Sequence, residues 1–270
     1  MPAAVLTAAG TDAAGDLVLG QLAATGVDTR WVRRLSRGST SMALLATLSP
    51  DQGERQFYRD DPSDVHLQPA DTADLPWSSL RLVLLSADAL ARGTTAGVVA
   101  AVAEAAGARG LPVWWDLDLR ESNWGSLRRY GDVVRPALQG ASVVLGTQEE
   151  FAALLGLTGP DPVGLQAAVR ALGLALVVLK TGPDGAVLLP RDGGPVHVPA
   201  TVASPVCTVG GGDALAGGLA AAWLDGLSWL DALAFAMRVA GWTVGRPGCS
   251  EGFPTRDELS RSEDLTSREV

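Results

Sequence analysis

Four short apolar runs punctuate the chain: RLVLLS (81–86), LPVWWD (111–116), ASVVLG (141–146) and LALVVLK (174–180). In each, apolar residues follow one another almost without interruption instead of alternating with polar ones. A strand covered on both faces has that signature, because its odd and even side chains both meet apolar neighbours. Segments of helical character lie between the runs: an alanine-rich stretch at 94–108, an amphipathic one at 149–155 and a third at 162–172. Strand–helix–strand alternation predicts a doubly wound α/β sheet, mostly parallel.

Two regions break this rhythm. SMALLATL and ERQFY flank the turn signal SPDQG, which predicts a hairpin over 40–58 with Arg59 just beyond it. TGPDG (181–185) separates LALVVLK from GAVLLP and predicts a second hairpin. The C-terminal third reads as helical over 213–225 and 228–244, with Ser228 and Asp231 resembling a capping box. The polar end, 260–270, reads as a frayed tail after a single domain over 1–259.

Composition narrows the function classes. With 270 residues and 47% hydrophobic content the chain can bury one large core. A formal net charge of -9 argues against a nucleic-acid surface. The two cysteines, Cys207 and Cys249, form no metal-ligand spacing and predict free thiols. No apolar window is long enough for a membrane span, and the first residues lack the pattern of a signal peptide. The expectation is a soluble, cytoplasmic protein with no nucleic-acid or membrane partner.

The chemistry concentrates in CTVGGGDALAGG (207–218). Gly210, Gly211 and Gly212 precede a helix, where unpaired N–H groups and the helix dipole favour an anion such as phosphate. Asp213 would repel that anion unless it acts on a neighbouring group. A carboxylate there can take the proton of a hydroxyl that attacks phosphorus, while the amides hold the charge on the transferred phosphoryl group. The alternative is a glycine linker with Asp213 capping the helix. Other signatures are missing: there is no G-x-x-x-x-G-K-S/T loop, no G-x-G-x-x-G after a strand and no G-x-S-x-G elbow. Neither His66 nor His197 stands near a plausible nucleophile.

CTVGGGDALAGG resembles the D-T-x-G-A-G-D-A-F-A-G-G signature of the ribokinase-like (PfkB) carbohydrate kinases. Other segments resemble that family in order: GTDAAGDLVLGQLAATGVDT (10–29) its G-x-D-x-x-G segment, WDLDLR (115–120) its D-x-N-x-R strand end, VVLGTQEEFAALLG (143–156) its N-x-x-E element, KTGPDGAVLL (180–189) its K-x-G-x-x-G hairpin and RPGCSEGFPTRDEL (246–259) its closing segment. The resemblance implies a ribokinase-like three-layer α/β/α sandwich and an ATP-dependent kinase assisted by Mg2+. It makes Asp213 the general base, Gly210, Gly211 and Gly212 the anion hole, and Lys180, Gly182, Gly185 and Met237 the nucleotide border. It makes Glu150 the acidic residue that orders magnesium through water. QFYRDDPSDVHL, DLDLRESNW, GTQEEF and CSEGFPT lean toward 5-dehydro-2-deoxygluconokinases, with 2-dehydro-3-deoxygluconokinases second. The carboxylate of such a substrate favours a guanidinium fork, and Arg59 and Arg120 are the candidates. Asp213 would also touch the acceptor hydroxyl. A homodimer is compatible with the resemblance.

The chain departs from the family at Cys207, where most members have Asp, at Thr147, where N-x-x-E has Asn, and near Met237, where many have Asn. The family's first strand, much of its lid and its G-G-x-x-x-N segment have no counterpart ahead of PAAVLTAAG, so the expectation is a truncated front with exposed strand backbone. A longer natural enzyme and a non-catalytic nucleotide- or sugar-binding remnant are the two readings; the intact C-terminal half favours the first.

Overall fold

A computed structural model of the chain describes residues 2–49, 52–157, 162–201 and 205–266. It divides into two compact units: Met1–Ala46, Glu54–Ser142 and Ala152–Thr158 form the first, and Thr47–Gly53, Val143–Phe151 and Gly159–Val270 form the second. Elements are numbered along the chain.

The first unit opens with β1 (Thr7–Gly10), α1 (Ala13–Ala24) and β2 (Val32–Leu35). The two strands pair in parallel with Thr7 opposite Val32, so α1 is a crossover helix. β3 (Met42–Ser49) and β4 (Gln52–Tyr58) form a separate two-stranded sheet, as SPDQG predicts; Pro50 and Asp51 of that turn lie outside the described residues. β5 (Val83–Ser86), α2 (Thr95–Ala108) and β6 (Val113–Asp116) make a second parallel crossover, with Val83 opposite Val113. Then come α3 (Glu121–Trp124) and α4 (Leu127–Ala137). Trp114, Trp115, Trp124 and Tyr130 are fully buried beneath them. The Trp124 and Tyr130 rings meet edge to face at 5.0 Å, and the Tyr130 hydroxyl donates to the Leu117 carbonyl at 3.0 Å.

One strand departs from its sequence. β5 reads as fully covered, yet none of its residues is fully buried and Leu84 is 42% exposed. The cause is its position: β5 ends its row of strands. A cavity of about 440 Å³ lies beside it, lined by Leu84, Leu85, Ser86 and the Ala4–Thr7 stretch leading into β1.

The second unit contains β7 (Val143–Thr147), α5 (Gln148–Leu155, whose last turn belongs to the first unit), α6 (Pro162–Ala171), β8 (Leu176–Lys180), β9 (Ala186–Pro190) and β10 (Val196–Val198). β7 and β8 run parallel; β8–β9 and β9–β10 are antiparallel, which places the expected hairpin at 181–185. Here the continuous apolar pattern holds, since the first four residues of β7 and of β8 are buried. α7 (Gly211–Leu224), α8 (Trp229–Val244) and α9 (Arg256–Thr266) complete the unit. Ser228 caps α8 by accepting the Asp231 N–H at 3.2 Å, but its hydroxyl, not its amide, engages the Asp231 carboxylate. Gly218 lets α7 lie close to α8, because a Cβ there would stand 3.1 Å from the Ala236 Cα. Contrary to the expectation of a frayed tail from 260, α9 continues to Thr266; residues 267–270 lie outside the described ones. No helix among the described residues is long and apolar enough to cross a membrane.

Candidate active site

The glycine loop is fastened from behind. The N–H groups of Val206 and Cys207 both donate to the Val244 carbonyl at the end of α8, at 2.7 and 3.0 Å. Gly210 then takes a left-handed conformation (φ 82°) as the N-cap of α7. A Cβ there would stand 2.9 Å from Cys249 Sγ, so conformation and space both call for glycine. The helical ladder begins with the Ala214 N–H donating to the Gly210 carbonyl at 2.8 Å. The Gly211 N–H donates to the Thr208 carbonyl at 3.3 Å, and the amides of Gly212 and Asp213 precede the ladder at the positive end of the helix. Asp213 is exposed on that first turn, not packed into the core.

Two further groups come to the loop because β7 and β8 are parallel neighbours in register. Thr147 at the end of β7 lies opposite Lys180 at the end of β8. Thr147 and Glu150 form a reciprocal capping box: the Thr147 N–H donates to Glu150 Oε2 at 2.7 Å, and the Glu150 N–H donates to Thr147 Oγ1 at 3.2 Å. Threonine in the place of the family's Asn thus keeps a capping side chain at the head of α5. Lys180 Nζ stands 4.0 Å from Glu150 Oε2 and 3.5 Å from where a Cβ on Gly212 would be. Its side chain is only 12% exposed, so it is not a solvated strand end. An ammonium, a carboxylate and a helix N-terminus thereby share one small region.

The other residues that the resemblance sets at the nucleotide border lie in the same unit. Gly182 (φ 60°) and Gly185 (φ 94°) turn the β8–β9 hairpin, and a Cβ on Gly185 would collide with the Val198 carbonyl at 2.1 Å. Beside them the Thr181 hydroxyl is buried with no hydrogen-bond partner, a group the sequence did not single out. Met237 is buried in α8, and its carbonyl accepts the Thr201 hydroxyl at 3.0 Å. Both cysteines are free, as expected. Burial and, next, the negative charge of Asp213 push the Cys249 thiol up from its ordinary range, which sets Cys249 within the field of Asp213.

Among the described residues no group of three His, Cys, Asp or Glu could hold a metal. Magnesium rarely needs one: it keeps several waters and takes one or two carboxylates together with substrate phosphates. Glu150, oriented by its capping box and by Lys180, fits that water-mediated role.

The first unit holds the two arginines expected to meet a substrate. Arg59 Nη2 donates to Asp64 Oδ2 at 2.6 Å, and Arg120 Nη2 pairs with Asp118 Oδ1 at 2.5 Å. Asp118 stands where the family's D-x-N-x-R has Asn and adopts a positive φ of 34°, a conformation that Asp and Asn tolerate best. Arg59 lines the 440 Å³ cavity together with Asp64, Asp88, Arg92, Asp118 and Asn123. Arg120 does not line it but borders it through Asp118. Sequence reasoning missed Asp88, Arg92 and Asn123. Asp88 accepts from Asn123 Nδ2 at 2.6 Å and Trp124 Nε1 at 3.1 Å, and burial raises its pKa above the ordinary carboxylate range.

Residues 1–256 match the pfkB family of carbohydrate kinases. A 5-dehydro-2-deoxygluconokinase of Clostridium perfringens is 27% identical over 251 residues, 92% of this chain and 74% of the relative. A crystal structure of a PfkB protein from Polaromonas superposes with a TM-score of 0.80 at 27% identity, covering 96% of this chain and 83% of that one. A fructokinase from Vibrio cholerae with fructose, ADP and a calcium ion bound gives 0.85 at 23% identity, covering 96% and 85%. The fold is ribokinase-like α/β, and the chain belongs to the PfkB family of carbohydrate kinases.

Proposed function

We propose that the protein transfers the γ-phosphoryl group of ATP to the terminal hydroxyl of a six-carbon keto-deoxy sugar acid, with 5-dehydro-2-deoxygluconate as the preferred acceptor. The observation that carries this reading is Asp213 exposed on the first turn of α7, directly after the glycine loop, with the Lys180 ammonium beside Gly212. Asp213 takes the proton of the acceptor hydroxyl as its oxygen bonds to the γ-phosphorus. The bond from that phosphorus to the β-phosphate oxygen breaks, and ADP leaves with the electron pair. The amides of Gly210, Gly211 and Gly212 and the Lys180 ammonium stabilise the charge on the phosphoryl oxygens. Glu150 holds the hydration shell of magnesium, which when bound neutralises phosphate charge. Gly182, Gly185 and Met237 border the nucleotide, and Arg59 and Arg120 lie on the acceptor side.

The acceptor assignment rests on the named relatives and on the cavity of the first unit, whose mostly apolar wall carries Arg59 and Arg92. With that acceptor the enzyme would work in inositol breakdown, in the cytoplasm. Coupled ADP release separates the alternatives across 5-dehydro-2-deoxygluconate, 2-dehydro-3-deoxygluconate, fructose and ribose. The expected ranking by kcat/KM puts the first acid on top. A higher value for a neutral sugar overturns the acceptor, and sugar-induced thermal stabilisation with no ADP release from any acceptor overturns the kinase in favour of a binding module.

A further inference from the structure

The acceptor cavity of the first unit contains three carboxylates, and all six of their oxygens are already engaged. Asp64 accepts from the Ser41 hydroxyl and from Arg59, at 2.7 and 2.6 Å. Asp88 accepts from Asn123 and Trp124. Asp118 accepts from the Ser86 hydroxyl at 3.1 Å and pairs with Arg120 at 2.5 Å. The two arginines that the sequence marks for a substrate carboxylate, Arg59 and Arg120, are thus both held by carboxylates of the protein.

Arg92 differs. It is half-buried, it lines the same 440 Å³ cavity, and it also lines a more open one of about 870 Å³ with Tyr58, Arg59 and Asn123. Its Nη2 donates to the Arg59 carbonyl at 3.0 Å, which fixes the side chain's direction without neutralising it. Its Nε, like that of Arg59, is buried with no hydrogen-bond partner, so the difference between the two lies in the carboxylate each faces. No carboxylate among the described residues forms an ion pair with it. A partly buried guanidinium with an unsatisfied N–H calls for an anion, because burial without a partner costs free energy. A guanidinium carries five N–H donors, of which the bond to the Arg59 carbonyl uses one, and its paired terminal N–H groups fit a carboxylate.

We propose that Arg92, which lines the acceptor cavity and has no carboxylate of the protein to neutralise it, receives the carboxylate of the sugar acid and sets the preference for acids over neutral sugars. This rests on the reading of the protein as a sugar-acid kinase. Arg59 then has a second duty: its backbone carbonyl aims Arg92, while its own side chain stays with Asp64.

The test compares kcat and KM for 5-dehydro-2-deoxygluconate and for fructose in the parent and in Arg92→Gln and Arg92→Lys. Loss of a charged pair raises KM for the acid about 10- to 100-fold and changes kcat less, so the acid-to-fructose ratio of kcat/KM falls by a similar factor. Arg92→Lys keeps the charge but not the fork and recovers part of that loss. Thermal melting of each variant checks folding, and if Arg92→Gln does not fold, Arg92→Lys alone must still raise KM for the acid. A ratio within twofold of the parent in folded variants overturns the role of Arg92 and leaves the sugar-acid reading standing. A parent that phosphorylates fructose but neither keto-deoxy acid overturns that reading and the proposal with it.

Discussion

Asp12 and Asp213 occupy similar places in the chain: each stands at a loop-to-helix junction, Asp12 two residues after Gly10 and Asp213 directly after Gly212, in or next to the first turn. Their surroundings differ. Asp12 accepts the Gly15 N–H at 2.8 Å, the Thr40 N–H at 2.8 Å and the Thr40 hydroxyl at 2.6 Å, and that hydroxyl in turn accepts the Gly10 N–H at 2.9 Å. These bonds, the Thr40 hydroxyl foremost, hold its pKa down at about 2 against an ordinary 3.8. Such a carboxylate is a poor base, and its work is to bind the β1–α1 turn to the chain entering β3. Asp213 stands exposed beside amides that precede the helical ladder. The position at a helix head is shared; Asp12 fastens structure through its hydrogen bonds, and under the proposed function Asp213 handles a proton.

The largest effect that can break this contrast is on turnover. Asp213→Asn keeps the shape of the side chain and removes the base, so kcat falls about 10²–10⁴-fold with little change in Tm. Asp12→Asn behaves the other way: Tm falls by roughly 2–4 °C, as for loss of a helix cap in a chain of this size, and kcat in the folded protein changes far less. Coupled ADP release and thermal melting on both variants check it. An Asp213→Asn enzyme that turns over near the parent rate removes Asp213 from the chemistry.

The glycines sharpen the same contrast at intermediate size. A Cβ on Gly15 would stand 2.2 Å from the Gly10 carbonyl, which is backbone and cannot swing aside. Gly15→Ala is expected to cost about 1–3 kcal/mol, read by denaturant melting. A Cβ on Gly212 would meet Lys180 Nζ at 3.5 Å, an ordinary contact, so Gly212→Ala leaves stability nearly unchanged. It places a methyl group beside the anion-holding amides, and activity falls while the fold persists. Equal loss of stability in the two variants would mean that the second loop, like the first, is a packing device.

Much of the α/β frame was legible because buried parallel strands are continuously apolar and the run lengths separate them from helices. Each strand starts two residues later than its run, as at Val83 and Val113, since the first residues of the run lie in the approach to the strand and not in its ladder. α4 is a helix that the sequence reading did not name, although Ser126 caps it by accepting the Arg129 N–H at 3.2 Å. The glycine loop, Lys180 and Glu150 were legible as a motif and converge in the second unit. What sequence could not yield was partnership. Thr40 reaches Asp12 across 28 positions. Arg59 is neutralised by Asp64 while Arg92 is not, and only the folded chain reveals which guanidinium lacks a carboxylate.

The pH dependence of stability carries a smaller signal of Asp12's engagement. Its folded pKa lies below the ordinary value, so the ionised form is favoured by folding. That contribution is fully present above pH 3.8 and is lost as pH falls through 2, because the unfolded chain then takes up the proton first. Melting temperature measured from pH 5 to pH 2 should fall more steeply in the parent than in Asp12→Asn. Parallel curves would show that the carboxylate's bonds to Thr40 and Gly15 do not favour its charge.

The smallest effect probes Asp213 at close range. The Cys249 thiol is held above its ordinary pKa first by burial and then by the Asp213 charge. A raised pKa means less thiolate at a given pH, and the thiolate is the species that reacts. Asp213→Asn removes the second cause and leaves the first, so Cys249 should alkylate faster at pH 8, by no more than about a few-fold. Cys207 is nearly buried and provides the slow internal reference, read by mass spectrometry of the labelled peptides. Asp12→Asn should leave the Cys249 rate where it is, since Asp12 is not among the causes of its shift. A Cys249 rate unmoved by Asp213→Asn would mean that the carboxylate at 213 does not project its charge toward the loop, and the same carboxylate could then hardly reach a hydroxyl placed against the loop's amides.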